Sequence, residues 1–541
     1  MFETGCVSQG DGSRFMRLVI AAVLVLFFAS CAGNPPYRTQ LRTDVQCEET
    51  YSQARWSDDA GRKNPDAETQ RIARLIQHDL KDSRVGACWN ASAERHAAYD
   101  LYSVEFDDQG WLADTASGRV PEETQLTLLM KGLNALVGSR GSADARPLSV
   151  IIYTHGWHHS AAPADGNVIA FRRLLESVSV AEGDLCVAHR RDSSGAGNPA
   201  VGAACSESES APVWQKKRRV VGVYLGWRGD SILGSYIKGL SIWDRKHAAE
   251  TVALGSVQEL FARLHTFYLE HECHLRPRSA QEIERCADVR MLTVGHSFGG
   301  LITYRALASR MTLGVAETSP DEFDPRIGNA YGYGDLTVLI NPAFEATRFE
   351  PLAEVAASRP YQGPESGKET QLPLLIVATS ETDWATGWAF PLFRWPTTRL
   401  ERADGAERRA NVRTVGWDPR YRTHYLGLSS KPDVCGLNEN SRPAERLRAE
   451  AHWSDEQRQT NYVGFGSQVL ELCDSLELTQ RLDWALTSRP YLPLWVIQTN
   501  KSVIDGHNDF LNVHFVDFVR QVYYTILRRQ DVQMQQAVLE R

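Results

Sequence analysis

Short apolar runs alternate with longer segments of helical periodicity through most of this chain. The run Ser149–Tyr153, for example, is β-branched and apolar, which is typical of a strand buried on both faces. Strand candidates are Leu101–Phe106 with the segment near Trp111, Ser149–Tyr153, Val220–Leu225, Val289–Gly295, Leu336–Ile340, Leu374–Ala378 and Leu494–Ile497. Helix candidates are Thr124–Val137, Val168–Leu175, Thr251–Leu269 and Val513–Leu527. Because strands and helices alternate, the pattern predicts parallel βαβ units, and hence an α/β fold with a mostly parallel, doubly wound sheet.

Four regions depart from this alternation and set the predicted domain organisation. A tether and helical extension, with helical spacing over Glu68–Leu80, is predicted for residues 31–95. The main α/β domain is predicted over residues 96–535, with helices on both faces of its sheet. Residues 182–213 are rich in Ser, Gly and Ala, which predicts an insertion loop. Residues 391–490 exceed what one strand and helix need, so a large cap-like insertion is expected there.

Composition limits the class of partner. The chain has 541 residues, 43% of them hydrophobic, and can bury a large core in one enlarged domain or two. Its net charge of −8 argues against a nucleic-acid partner. The basic run Lys216–Arg219 is a local exception that is typical of a solvated strand entrance, although it could also contact lipid phosphate.

One sharp turn in the sequence indicates a type of chemistry. The run that begins at Val289 ends in Gly-His-Ser-Phe-Gly, and apolar residues then recur at helical spacing from Leu301. This order of strand, turn and helix predicts a nucleophile elbow with Ser297 at its apex. The flanking glycines allow the tight turn and leave the serine oxygen exposed. The motif therefore indicates acyl transfer through a serine.

An earlier strand ends in a second informative stretch. The run Leu148–Tyr153 continues into Thr-His-Gly-Trp, which closes at Trp157. An oxyanion hole needs two backbone N–H groups directed at the developing negative charge. The residue after the nucleophile, Phe298, supplies one, and Trp157 is the best candidate for the other. Gly156 would let that backbone approach a substrate closely.

These motifs together resemble the α/β-hydrolase superfamily. The chain is most similar to bacterial serine-hydrolase-type proteins with a His-Gly-Trp-His-His stretch and a Gly-His-Ser-Phe-Gly elbow. The resemblance covers roughly residues 96 to 530. In that superfamily the order along the chain is Ser, acid, His, which implies a triad of Ser297, Asp383 and His507.

The acid and the histidine each have a competitor. Asp383 and Glu381 both follow the strand candidate Leu374–Ala378, and Asp383 matches the family position better. Either carboxylate could instead be a helix cap or a solvated loop charge. His507 lies in a loop after the last strand, whereas His514 falls inside the final helix candidate and is expected to be a packed side chain.

Three closely spaced histidines, His155, His158 and His159, raise the question of a metal. Imidazoles at such spacing can chelate, but no cysteine or acidic ligands stand near them in a recognisable metal pattern. We interpret His155 as a residue that shapes the loop. The sequence predicts no metal and no organic cofactor.

The N-terminal residues predict a lipoprotein signal peptide over residues 1–30. Leu18–Ala29 is an apolar run too short to span a bilayer, Arg14 and Arg17 precede it, and Ala-Ser-Cys follows. This ending resembles the lipobox of bacterial lipoproteins, which implies that Cys31 is acylated and anchors the chain in the cell envelope. Ala32 after Cys31 favours the outer membrane, facing the periplasm. Ordinary cleavage and translation from Met16 remain open alternatives.

Cysteine content agrees with an oxidising compartment. Ten cysteines less Cys6 and Cys31 leave an even number, which fits four disulfides. Connectivity is not deducible, because eight cysteines allow about 105 pairings. Neighbours in the sequence suggest the pairs Cys47–Cys88, Cys186–Cys205, Cys273–Cys286 and Cys435–Cys473.

The resemblance implies a lipid-anchored serine hydrolase that acts on a carboxylic ester, such as a lipid or an acylated envelope component. Two other functions fit the same residues: an envelope scaffold or binding lipoprotein without turnover, and an acyltransferase that excludes water. Trp388, Phe390, Phe393 and Trp395 cluster near the start of the insertion. They could pack within it, line an acyl pocket or contact a membrane.

Overall fold

Eleven strands form one sheet in the order β1-β2-β4-β3-β5-β6-β7-β11-β8-β10-β9. The strands are β1 (Ala93–Arg95), β2 (Tyr99–Phe106), β3 (Leu148–Thr154), β4 (Arg219–Trp227), β5 (Val289–His296), β6 (Leu336–Ile340), β7 (Leu375–Ser380), β8 (His424–Leu428), β9 (Val469–Glu471), β10 (Leu476–Gln480) and β11 (Leu494–Thr499). This computed structural model describes residues 36–41, 91–114, 123–138, 146–193, 216–229, 241–273, 287–316, 330–358, 361, 363, 370–398, 404–438, 441, 443–460, 462–481 and 490–539.

The sheet is mostly parallel. Strands β2, β4, β3, β5, β6, β7, β11 and β8 all run in one direction, while β1, β10 and β9 pair antiparallel at the two sides. The α/β class and the mostly parallel sheet predicted from the alternating pattern are therefore confirmed. From β3 the chain moves first to β4 on one side and then to β5 on the other. Such a reversal opens a crevice at the carboxyl ends of the strands.

Helices cover both faces of the sheet. They are α1 (Gln125–Val137), α2 (Gly166–Ser193), α3 (Ser241–Val252), α4 (Val257–His271), α5 (Phe298–Ala316), α6 (Glu350–Ala357), α7 (Phe390–Thr398), α8 (Gly405–Val412), α9 (Pro443–Gln459) and α10 (Val513–Leu539). Alternate residues of β3 enter different cores: Val150 packs with residues of α1, α4 and α5, whereas Ile151 packs with residues of α2 and α10. Successive side chains of a strand point to opposite faces, so a strand covered on both sides reads as a continuous apolar run.

Three helices differ from their predicted bounds, one of them α10, which continues past the predicted end at Leu527 to Leu539. The segment Thr251–Leu269 does not lie in one helix, because α3 ends at Val252 and α4 begins at Val257. At this break Gly255 packs on the backbone of Gly110, where a Cβ atom would come within 2.2 Å of the Gly110 carbonyl oxygen. Helix α2 continues to Ser193, so the first part of the predicted loop 182–213 is helical, and the rest of it lies outside the described residues.

The predicted insertion 391–490 does more than cover the sheet. Its strand β8 pairs in parallel with β11, and β10 and β9 then extend the sheet beyond it. A disulfide between Cys435 and Cys473, with Cα atoms 5.2 Å apart, ties the segment after β8 to the turn before β10. This pair was predicted from sequence proximity and is confirmed.

The remaining predicted cysteine and N-terminal features fall mostly outside the described residues. Cys273 is disulfide-bonded, and its predicted partner Cys286 lies outside the described ranges. Cys186 lies in α2, but its side chain is not described, and the other candidates, Cys31, Cys47, Cys88 and Cys205, lie outside the described ranges, as do the signal peptide and the helix predicted at 68–80. None of the helices within the described ranges is long and apolar enough to cross a bilayer.

Candidate active site

Ser297 stands at the sharp turn between β5 and α5. Its φ of 55° lies in the left-handed region, which is unusual for a residue other than glycine and fits the sharp strand-to-helix turn predicted from the sequence. The turn is fixed because the Ser297 amide donates to the Ile340 carbonyl at 3.0 Å and the Ala343 amide donates to the Ser297 carbonyl at 3.1 Å. A Cβ atom on Gly299 would come within 2.1 Å of the Thr154 carbonyl oxygen, so only glycine fits there.

His507 bridges the serine and a carboxylate. Its Nε2 lies 2.8 Å from the Ser297 hydroxyl oxygen, and its Nδ1 lies 3.0 Å from Oδ1 of Asp383. The three residues follow the carboxyl ends of β5, β7 and β11, which converge at one edge of the sheet. The sequence therefore named three side chains that the fold joins by two hydrogen-bond contacts, both of them through His507.

Asp383 is buried, and its carboxylate accepts several hydrogen bonds. Its carboxylate accepts from the amides of Ala385 at 2.9 Å and Thr386 at 3.3 Å, and from the hydroxyl of Thr386. The indole N–H of Trp417 donates to that hydroxyl at 3.1 Å. A carboxylate so satisfied is held in one orientation, with Oδ1 directed at the imidazole. Ala385 to Ala389 form a π-helical turn, a feature often found at functional sites.

The two competing residues lie elsewhere. Glu381 is exposed, and its Oε1 accepts from the Lys501 amide at 3.2 Å rather than meeting the imidazole of His507. His514 forms a hydrogen bond with Asp474 near the start of α10. The His514 side chain is partly buried in this contact, which agrees with the expectation that it is a packed helical residue.

The backbone of the His507 loop is held by two residues whose role the sequence did not reveal. Asn341 Nδ2 donates to the carbonyl oxygens of His507 at 2.9 Å and Gly506 at 3.2 Å, and its Oδ1 accepts from the Ser380 amide at 2.9 Å. His296 Nε2 lies 2.9 Å from the same His507 carbonyl. Burial, reinforced by the neighbouring His507, holds the pKa of His296 well below its usual range, so its ring is neutral and Nε2 is the donor.

Asn341 also has a left-handed φ of 44°, and asparagine adopts this region more readily than other residues with a side chain. The signal in the sequence was an Asn-Pro pair directly after the strand β6. That pair indicates a turn, but nothing local shows that the turn faces the loop of a histidine 166 residues further along.

On the sequence-based hypothesis that His507 is the base of a serine esterase, we expect Asn341→Ala to lower kcat for ester hydrolysis by about 100-fold, because small displacements of such a base are that costly. Asn341→Gly is the matched control, since glycine tolerates the left-handed backbone but supplies no amide. Both variants should lose the same activity, while Asn341→Gly keeps more of the thermal stability. If Asn341→Gly retained wild-type kcat, the amide would not position His507.

The predicted oxyanion residues flank the serine. Phe298 occupies the first position of α5, where an amide has no acceptor within the helix. Gly156 lies against Ser297, because a Cβ atom built on it would be 2.8 Å from the Ser297 Cβ. The loop is fixed by a hydrogen bond from the His158 amide to the Gly229 carbonyl at 3.0 Å, and the Trp157 ring packs near the Phe298 ring.

His155 shapes this loop through both ring nitrogens. Its Nδ1 lies 2.9 Å from the Gly156 carbonyl, and its Nε2 accepts from the Trp227 amide at 3.1 Å. The ring stacks between Tyr224 and Trp227. Burial lowers its pKa from 6.5 to about 4, so the imidazole is neutral. Within the described residues no group of three or more His, Cys, Asp or Glu side chains could hold a metal ion.

Buried neutral histidines make the fold sensitive to mild acid. Burial lowers the pKa of His155 to about 4 and that of His424, in β8, to about 3. The unfolded chain binds a proton near pH 6.5, but the folded chain does not, so their stabilisation is complete above pH 6.5 and is lost as pH falls towards these values. Each histidine contributes a slope of about 1.4 kcal/mol per pH unit in that window.

The measurement is the urea midpoint of the whole chain between pH 6.5 and pH 5, above the range in which ordinary carboxylates titrate. We expect the midpoint to fall with pH, and His424→Gln to make the decline shallower. Identical slopes for the two proteins would contradict the assignment of a buried neutral His424.

Comparisons with known proteins leave the site to be interpreted from its own geometry. The chain matches no protein-family model, and comparisons with curated proteins and with solved structures likewise give no match.

Proposed function

We propose that this protein is a serine hydrolase of the α/β-hydrolase type that cleaves a carboxylic ester through an acyl-enzyme intermediate. The observation that carries the proposal is the imidazole of His507, which is in hydrogen-bond contact with the Ser297 hydroxyl and the Asp383 carboxylate at once. A nucleophile, a base and a residue that orients the base are the parts that serine acyl transfer needs.

The chemistry follows from these contacts. Ser297 Oγ attacks the acyl carbon while His507 Nε2 takes the hydroxyl proton, which gives a tetrahedral oxyanion. This species collapses as His507 returns the proton to the leaving alcohol, and the acyl group remains on Ser297. A water molecule then attacks the acyl carbon while His507 takes its proton. The second tetrahedral species expels Ser297 Oγ, to which His507 returns the proton, and the carboxylic acid is released. Asp383 stabilises the imidazolium formed in both steps.

The oxyanion would be held by backbone amides. The Phe298 amide, at the start of α5, benefits from the positive end of the helix dipole. The Trp157 amide follows Gly156, whose missing side chain leaves the backbone close to the serine. One such donor contributes about 3 to 4 kcal/mol to transition-state stabilisation in comparable enzymes. No metal and no organic cofactor enters these steps.

The substrate class and the location extend the proposal. We infer a small-molecule or lipid ester, including an acylated component of the bacterial envelope, because the N-terminal residues resemble a lipoprotein signal with Cys31 as the acylated residue. Anchoring in the outer membrane, facing the periplasm, would give the site access to such esters. Nucleic acid is not proposed as a partner, given the net charge of −8.

A fluorophosphonate probe tests the proposal directly, because it reacts covalently with an activated serine. We expect the wild-type protein to be labelled and Ser297→Ala to remain unlabelled. A series of p-nitrophenyl esters of graded chain length would then define the acyl group. Failure of the folded wild-type protein to label would favour a scaffold or binding lipoprotein, and transfer to an added alcohol without hydrolysis would favour an acyltransferase.

A further inference from the structure

A row of large apolar side chains is exposed next to the candidate active site. Trp384, Trp388, Leu392 and Trp395 are 67%, 72%, 56% and 50% exposed, and we call this row the tryptophan ridge. Their spacing of four, four and three residues keeps them on one side of the helical segment 384–398. The opposite side of the segment is buried through Thr386, Ala389 and Phe390, so the ridge is a built surface rather than a frayed end.

The ridge lies at the carboxyl edge of the sheet. It begins at the residue after Asp383, and its helix is fastened there by an ion pair between Arg394 and Glu345, at 2.9 Å. Glu345 follows β6 on that same edge. Phe393, between the ridge residues, packs edge-on against Trp243 with ring centroids 6.2 Å apart. The exposed indoles are therefore presented by a fixed helix beside the catalytic groups.

The N-terminal segment reaches the same edge of the sheet. The amides of Tyr37 and Arg38 donate to the carboxylate of Glu105, near the end of β2, at 2.9 and 2.8 Å. The buried guanidinium of Arg38 donates to the Ala161 carbonyl, in the segment after β3, at 2.9 Å. Arg38 also forms an ion pair with Glu94 at 2.6 Å. We call these contacts of Tyr37 and Arg38 the clamp.

The direction of this segment shows which of its ends is nearer to the carboxyl edge. Gln40 forms a parallel bridge with Ala91, which leads into β1, and β1 runs antiparallel to β2. Residues 36–41 therefore run away from the carboxyl edge, and Pro36 lies at the end of this segment that is nearer to that edge. Cys31 is six residues before Tyr37, so its Cα atom can be at most about 22 Å from that of Tyr37.

The clamp and the ridge are two separated points on one edge. Five strand spacings separate β2 from β7, or about 24 Å at the usual spacing between neighbouring strands. A bilayer that holds an acyl group at Cys31 would thus meet the ridge if the carboxyl edge lay flat on its surface. Tryptophan is the side chain that is enriched at the membrane interface, because its ring is apolar and its N–H is polar.

We propose that the tryptophan ridge docks on the surface of a phospholipid bilayer, so that Ser297 faces the lipid headgroups. The ridge itself does not depend on the proposed hydrolase activity, whereas the orientation of the whole edge uses the acylation proposed for Cys31. Esters presented at the membrane would then reach the serine without crossing bulk water.

The test is quenching of tryptophan emission by brominated lipid, which needs no turnover. The full chain, purified from a bacterial envelope, is reconstituted in vesicles of dioleoyl phosphatidylcholine or of its dibrominated form. We expect brominated lipid to quench a larger fraction of wild-type emission than of Trp388→Leu/Trp395→Leu emission. The control Leu313→Ser removes an apolar side chain, 52% exposed, near the far end of α5, and should leave the quenching unchanged.

Equal fractional quenching of the wild type and the double variant would overturn the docking proposal. A detergent-solubilised dimer that becomes monomeric only in the double variant would instead assign the ridge to a second copy of the chain. Fluorophosphonate labelling of the same samples separates the two proposals: labelling without ridge quenching rejects only membrane docking, and ridge quenching without labelling rejects only the hydrolase.

Discussion

Ser297→Ala should lower kcat for hydrolysis of a p-nitrophenyl ester by about 10⁶-fold, with little change in KM, because the nucleophile acts in the chemical step. His507→Ala should cost nearly as much. The His507 imidazole contacts the Ser297 hydroxyl at 2.8 Å, and without it the serine has no base. The double variant should be no slower than either single variant, since the residues act as one unit.

The informative control for this prediction is His514→Ala. His514 lies on α10, seven residues beyond His507. Its imidazole forms a hydrogen bond with Asp474, which is not one of the three residues of the proposed triad. Its substitution should leave kcat within about twofold of wild type. A large loss in His514→Ala with normal turnover in His507→Ala would overturn the assignment of the base. Circular dichroism and the melting temperature of each variant establish that it is folded.

Asp383→Asn should lower kcat by about 10⁴-fold while leaving the fold intact. The carboxylate accepts a hydrogen bond from His507 Nδ1 at 3.0 Å, which keeps the proton on Nδ1 and leaves Nε2 free to accept from the serine. An amide at this position can donate to Nδ1 and so favour the wrong tautomer. It also cannot stabilise the imidazolium that forms during attack.

Glu381→Gln is the matched control, because it makes the same chemical change two residues earlier. Glu381 accepts from the Lys501 amide at 3.2 Å and is exposed, so its variant should retain nearly full activity. Steady-state kinetics of the two variants, with pH profiles, decide between the carboxylates. The acid assignment is wrong if Glu381→Gln is the slower enzyme.

Local signals in the chain were sufficient for the strands that carry the site. The short apolar run before Ser297 and the glycines around it are recognisable in the sequence, since an elbow needs a strand, a small-residue turn and a helix within about a dozen residues. Helix α1 was placed equally well because Thr124 is its N-cap, accepting from the Thr127 amide at 3.1 Å. Steric limits and capping act over a few residues, and the sequence displays them directly.

Contacts between segments that are distant in the chain were harder to predict from the sequence. The insertion after Asp383 looked like a cap, yet β8 joins the sheet beside β11, since a strand's partner is chosen by the whole packing arrangement. The role of Asn341 was hidden for the same reason: its amide meets a loop that the chain reaches only after folding. Glu381 and Asp383 both follow β7, and only the direction of each side chain in the fold separates them.

The sequence by itself determined the alternating α/β order and the elbow turn at Ser297, because periodicity and turn chemistry are local. The two partners Asp383 and His507 were implied by the resemblance to the hydrolase superfamily. The tertiary structure alone decided that His507 meets Ser297 and Asp383, and that Asn341 and His296 hold the His507 loop. It also decided that the tryptophan ridge and the N-terminal segment share one edge. These relations join residues more than 60 positions apart, and only burial of the common sheet brings them together.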